Sequence, residues 1–258
     1  MASSTDITIT GPSGNAYRFA GDYLHDAALT LLVCHACCCG QSVAGLSART
    51  QWMYLTLYVS RYLDLLDHQQ APYLVVHKLG YIGATVMALL CFHFFSKTYQ
   101  KDADTCPAWA IALLMLMVAF CLTADSTVIE ILWTWSQLLE GFAMVPQYVC
   151  SYRNAKAGLA DSCGVSAWIC LMGAYKFCYM LNWMHKKSRI QWYWDPNSWL
   201  CGIVNCSFFV DYVLFRLVNV SCLRRLTLAC DDGLHVVGEE LQNRLGGCLL
   251  SPGQRASK

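Results

Sequence analysis

The stretch Glu130-Ile-Leu-Trp-Thr-Trp-Ser-Gln-Leu-Leu-Glu140-Gly-Phe-Ala-Met-Val-Pro146-Gln147 decides how this chain is read. It sits in one of the most hydrophobic regions, yet it holds two acids, two tryptophans and a proline. A charged side chain at the centre of a bilayer costs about 2.5–3.5 kcal/mol on insertion scales, so one that is kept faces a protein interior and acts there. Arg61-Tyr62-Leu63-Asp64, and Tyr175-Lys176 with Tyr179 and Asn182-Trp183, repeat the pattern in two other apolar stretches. The reading is a membrane protein with a polar chamber.

Composition agrees. Of 258 residues, 56% are hydrophobic and only 14% charged, against about 25% charged in ordinary soluble domains. Mean hydropathy is +0.37. A net charge of +1 gives no bulk attraction for nucleic acid. Apolar segments near Phe19–Cys38, Gln51–Leu66, Tyr73–Phe95, Trp109–Thr123, Val128–Cys150, Gly164–Met184 and Trp199–Val220 predict an all-α membrane protein with seven transmembrane helices. Residues 1–16 read as a flexible lumenal N-terminus, 17–220 as the seven-helix domain and 221–258 as a cytosolic tail. No cleavable signal peptide is evident, so the first helix is expected to serve as the targeting signal. In the tail, Leu234 to Leu245 fits either a short amphipathic helix or irregular chain.

Lys and Arg set the orientation. Arg49, Lys97, Lys101, Arg153 and Lys156 fall on one side, joined by Arg224 and Arg225. Arg18, Lys186, Lys187 and Arg189 fall on the other. The excess favours a cytosolic C-terminus and a lumenal N-terminus. The 16 cysteines show no paired CxxC zinc spacing. Cys34 and Cys37–Cys39, with His35, fit packing or palmitoylation at a membrane edge, or else a metal site.

The polar residues admit more than one reading each. Arg61 and Asp64, three apart, share a helix face; they form a mutual salt bridge, or Asp64 positions Arg61 as a fork for a ligand carboxylate. Glu130 and Glu140 lie nearly three turns apart, with Glu130 near the lumenal mouth. The deeper Glu140 needs a donor or a proton, which Tyr175 or Tyr179 can supply. His25 is either structural or a switch, since its reference pKa of about 6.5 lies in the cellular range. His35, His68, His77, His93 and His185 carry less information. No Walker A, GxGxxG, HExxH or GxSxG motif occurs, so neither an enzyme nor a cofactor is expected.

In order along the chain, Tyr17-Arg18-Phe19-Ala20-Gly21-Asp22-Tyr23-Leu24-His25, Ala44-Gly45-Leu46-Ser47, Arg61-Tyr62-Leu63-Asp64-Leu65, Glu130-Ile-Leu-Trp133 through Glu140, Pro146-Gln147, Tyr175, Tyr179, Asn182-Trp183 and Asp211 resemble the KDEL receptors, the endoplasmic-reticulum lumen protein-retaining receptors. The resemblance implies seven helices in a SWEET-like 3+1+3 arrangement. It also implies binding of C-terminal KDEL- or HDEL-like tetrapeptides in the acidic Golgi, return to the endoplasmic reticulum by COPI vesicles, and release at neutral pH. Arg18 and Arg61 then become cationic contacts, and Glu130 meets the basic residue that opens the signal. Tyr62, Asp64, Trp133, Tyr179, Asn182, Trp183 and Lys186 belong to the pocket; His25, Glu140 and Tyr175 form the pH switch. Lys176 and Lys186 stand where the family has arginines, which keeps charge but loses the bidentate fork. The tail lacks the family's lysine cluster, leaving Arg224-Arg225 for contact with the COPI coat. The competing reading is a small-solute transporter, because Pro146-Gln147 is shared with PQ-loop and SWEET-type proteins.

Overall fold

The computed structural model describes residues 15–66, 72–123, 127–190, 193–227 and 229. The sequence readings for 1–14, for the connection around His68 and for Leu234 to Leu245 lie outside the described residues, as do the side chains of Cys39 and Asp64. The chain divides into two compact units, Met1–Val210 and Asp211–Lys258.

Among the described residues the fold is helical, without strands. The helices are α1 (Ala16–Cys34), α2 (Ala48–Arg61), α3 (Pro72–Phe94), α4 (Ala108–Leu122), α5 (Val128–Phe142), α6 (Val145–Lys156), α7 (Cys163–Arg189) and α8 (Pro196–Val218). A π turn, His35–Cys39, continues α1, and 3-10 turns follow α2 at Leu63–Leu66 and α3 at Ser96–Thr98. By length and composition α3, α7 and α8 can each cross a membrane, and α4 is a shorter apolar helix. In the first unit, α1 packs against α7 and α3, α2 against α5 and α3, and α4 against α5.

Local chemistry explains the boundaries. Asn15, Ser47, Thr127 and Ser162 accept from amides in the first turns of α1, α2, α5 and α7, as side-chain oxygens do at N-caps. Two boundaries differ from the sequence reading. The segment read as one span, Val128–Cys150, is two helices separated at Ala143 and Met144. Pro146 is the cause: its ring conflicts with the carbonyl four residues back, that of Phe142, where α5 ends, yet it is tolerated in the first turn of α6. The second segment ends its α-helix at Arg61 and tightens to 3-10 geometry over Leu63–Leu66, so Arg61 and Asp64 do not share one α-helical face.

A polar latch anchors the N-terminal end of α2. Gly45 turns with φ +79°, a conformation that suits glycine. Gln147, fully buried, accepts from the Ser47 amide at 2.8 Å and donates to the Gly45 carbonyl at 2.7 Å. Asp104 accepts from the Ser47 hydroxyl at 2.7 Å, the Tyr99 hydroxyl at 2.6 Å and the Arg49 amide at 3.2 Å. Burial and the bond to Asp104 push the Tyr99 hydroxyl above its ordinary pKa. The turn Ala44 to Ser47 and the Pro146-Gln147 pair, a hundred positions apart, are thus one device. In the second unit, Asp211 accepts from the amides of Cys222, at 2.8 Å, and Leu223, at 3.3 Å.

Replacing Gln147 by Leu strands the Ser47 amide and the Gly45 carbonyl. Each buried orphan costs about 1–3 kcal/mol. The expected result is a clear drop in the thermal unfolding midpoint in detergent; an unchanged midpoint disproves the latch.

Candidate ligand-binding site

A cavity of about 240 Å³ lies within the first unit. Its walls come from α1 (Arg18, His25), the end of α2 (Tyr58, Arg61, Tyr62), α3 (Tyr81), α5 (Trp133, Gln137, Glu140), α7 (Tyr175, Lys176, Tyr179, Asn182, Trp183, Lys186) and α8 (Ser198, Cys201, Gly202). A Cβ on Gly202 would stand 2.4 Å from the Trp183 ring, so glycine there lets α8 approach α7.

Glu140 is the hub. Its Oε2 accepts from Arg61 Nη1 at 2.6 Å. Its Oε1 meets the ammonium of Lys176 and accepts from the Tyr175 hydroxyl at 3.2 Å. The rest of the Arg61 fork is spent on Ser136, with Nε donating to its hydroxyl at 3.0 Å and Nη2 to its carbonyl at 2.8 Å. The partner of Arg61 is therefore Glu140 on α5. The expectation of a neighbouring Asp64 as its positioning group rests on a side chain outside the described residues.

Asp22 is a second hub, near the entry to α1. Its Oδ1 accepts from the Tyr179 hydroxyl and its Oδ2 from the Tyr73 hydroxyl at 2.5 Å. The Arg18 guanidinium stands 4.0 Å away. One turn deeper, buried His25 stacks on Tyr175 with ring centres 4.2 Å apart and planes 4° apart. Its Nε2 meets the Tyr58 hydroxyl at 2.7 Å. Tyr62 stacks on Tyr58 at 5.8 Å, and Lys78 sits 5.4 Å above the Tyr62 ring.

Of the residues singled out in the sequence, Arg18, His25, Arg61, Tyr62, Trp133, Glu140, Tyr175, Tyr179, Asn182, Trp183 and Lys186 line this one cavity. Glu130 does not: it is exposed in the first turn of α5. Sequence reasoning missed the role of Asp22, of Ser136 and Gln137, and of Lys176 as an ion partner. It also set aside His77, whose Nδ1 lies 2.7 Å from Asp26 across α1 and α3. The signal for Asp22 was present, since an acid in an apolar helix needs partners. Asn182 Oδ1 and Gln137 Oε1 are buried at the cavity without a hydrogen-bond partner among the described residues, which leaves two acceptors for a ligand or water.

The ER lumen protein retaining receptor family matches residues 42–186, more than half of the chain. An ER lumen protein-retaining receptor from Entamoeba histolytica is 28% identical over 208 residues, 79% of this chain and 93% of the relative. Receptor B of Arabidopsis thaliana is 27% identical over 219 residues, 83% and 99% of the two chains. Receptor 2 of Danio rerio is 29% identical over 215 residues, again 83% and 99%.

The ion network predicts unequal costs for its members. Glu140→Gln leaves the buried Lys176 and the half-buried Arg61 uncompensated and is expected to cost about 3–5 kcal/mol. Lys176→Met removes one cation and leaves the Arg61–Glu140 pair, so it is expected to cost much less. Unfolding midpoints of both variants test the ranking; equal costs contradict it.

Proposed function

The chain belongs to the ER lumen protein retaining receptor family, and from that premise we propose that it binds C-terminal KDEL- or HDEL-like signals of escaped lumenal proteins. In this reading it spans endoplasmic-reticulum and Golgi membranes with seven helices in a 3+1+3 arrangement. Its N-terminus is lumenal and its C-terminus cytosolic. It captures cargo in the acidic Golgi, returns it in COPI vesicles and releases it at neutral pH.

The observation that carries the reading is charge. Among the described residues that line the cavity, Arg18, Arg61, Lys176 and Lys186 are the cations and Glu140 the acid, with Asp22 beside Arg18 just outside the wall. A tetrapeptide with acidic side chains and a free terminal carboxylate complements that excess, whereas a neutral sugar gains little from it. Three of the five N–H donors of Arg61 are occupied by Glu140 and Ser136, so Arg18 and Lys186 are the cations left to meet a carboxylate first. Asn182 and Gln137 supply acceptors for peptide N–H groups. Glu130 is the proposed partner of the cation that opens the signal. Its exposure limits such a pair to about 0–1 kcal/mol, so it selects more than it holds.

His25 supports the pH dependence. Its protonation adds positive charge to a cavity built for an anion, and a bound anion favours that protonation in return. Binding of labelled KDEL- and HDEL-ending peptides to the purified protein, at pH 5.5 and 7.4, tests this. Tighter binding at pH 5.5 is expected, with loss on amidation of the terminal carboxylate and a flattened pH profile in His25→Ala. Equal affinity at both pH values refutes the switch. Failure of every peptide to bind turns the reading toward solute transport.

A further inference from the structure

Away from the cavity, two thiols from distant parts of the chain meet. Cys37 lies in the π turn that continues α1, and Cys91 lies near the end of α3. They are 54 positions apart in sequence, with sulfurs 3.1 Å apart. Both are free cysteines; Cys91 is buried, Cys37 half-buried, and Cys34 and Cys38 beside it are exposed. A disulfide bond is about 2.0 Å long, so the sulfurs need to close by only about 1 Å. The element that carries Cys37 is a π turn, an uncommon geometry that recurs at functional sites.

We propose that Cys37 and Cys91 are a modification site: they join in a reversible disulfide on contact with a small-molecule disulfide of the glutathione type, stapling the end of α1 to α3. The half-buried Cys37 is the sulfur that the oxidant reaches. Its thiolate attacks one sulfur of the small disulfide, which breaks the S–S bond and releases one small thiolate. Cys91 then gives up its proton and attacks the Cys37 sulfur, releasing the second small thiolate. Two protein thiols are oxidised by two electrons, one small disulfide is reduced to two thiols, and the two protons pass to the released thiolates. The staple changes no charge. It acts on freedom of movement, because α1 carries Arg18, Asp22 and His25 while α3 carries Tyr73 and Tyr81, and these residues wall or brace the cavity.

The test uses the full-length protein in detergent, exposed to oxidised glutathione, capped with N-ethylmaleimide and digested for mass spectrometry without reductant. The expected product is a cross-linked pair of peptides containing Cys37 and Cys91, lighter by two hydrogens and lost on reduction. The unfolding midpoint of the oxidised protein is expected to rise by about 5 °C or more. That rise disappears in Cys37→Ser and in Cys91→Ser. Should either variant not fold, maleimide labelling of the oxidised wild type in denaturant without reductant reads the same bond, as protection of both cysteines with no added glutathione mass. Maleimide labelling of both cysteines after oxidation, or pairing of Cys37 with another cysteine such as Cys38, overturns the proposal. A bridge that forms without raising the midpoint overturns the staple.

Discussion

Glu140 is a carboxylate in an apolar helix, and the cavity is arranged around the need to keep it charged. A lone ionised carboxylate in such a place is too costly to keep. Here Arg61 from α2 and Lys176 and Tyr175 from α7 converge on it, so the electrostatic demand of one residue draws three helices to one point. Buried ion pairs add little net stability compared with apolar packing. What they add is position, because each helix has one register in which its charge is matched. The cluster also holds two cations to one acid, and on the proposed reading that excess is what receives an anionic signal.

The other end of α2 is fixed by neutral means. Gln147 satisfies a backbone amide and a carbonyl of the turn before α2, and Asp104 gathers a serine, a tyrosine and an amide on the same turn. The Pro146-Gln147 pair therefore has two separable uses: the proline divides α5 from α6, and the glutamine holds the turn. Neither use requires a transported solute. The fourteen residues of α2 span roughly 20 Å at 1.5 Å per residue. The latch thus sets where Arg61, at the far end, meets Glu140.

Much of the cavity was legible because a charge in an apolar run announces itself. Glu140 and Arg61 were visible for that reason, and Tyr175 and His25 as polar groups in the same apolar runs. One partner was legible too, the Tyr175 hydroxyl for Glu140; the others were not, because pairing is a tertiary property. Arg61 looked matched by Asp64 three positions on, but its α-helix stops at Arg61 and its partner lies 79 positions away. Asp22 and Tyr179 are 157 positions apart, and Asp26 and His77 become a pair only once α1 and α3 pack. The break in the fifth segment had a local signal in Pro146, and reading a continuous apolar run as one helix passed over it. Glu130 was read at the mouth of its span, and the structure has it exposed in the first turn of α5, away from the cavity wall.

The position of His25 connects the scaffold to the proposed function. Its ring is held from two sides, stacked on Tyr175 and bonded to the Tyr58 hydroxyl. Tyr175 in turn donates to Glu140, so histidine, tyrosine and carboxylate form one chain of contacts. A proton on His25 joins the cations already facing the cavity, and an anionic ligand offsets them all. Binding free energies are reciprocal: a ligand held more tightly when His25 is protonated must itself favour that protonation. On the proposed reading, the same charge excess that admits the signal in an acidic compartment gives it up when the proton leaves.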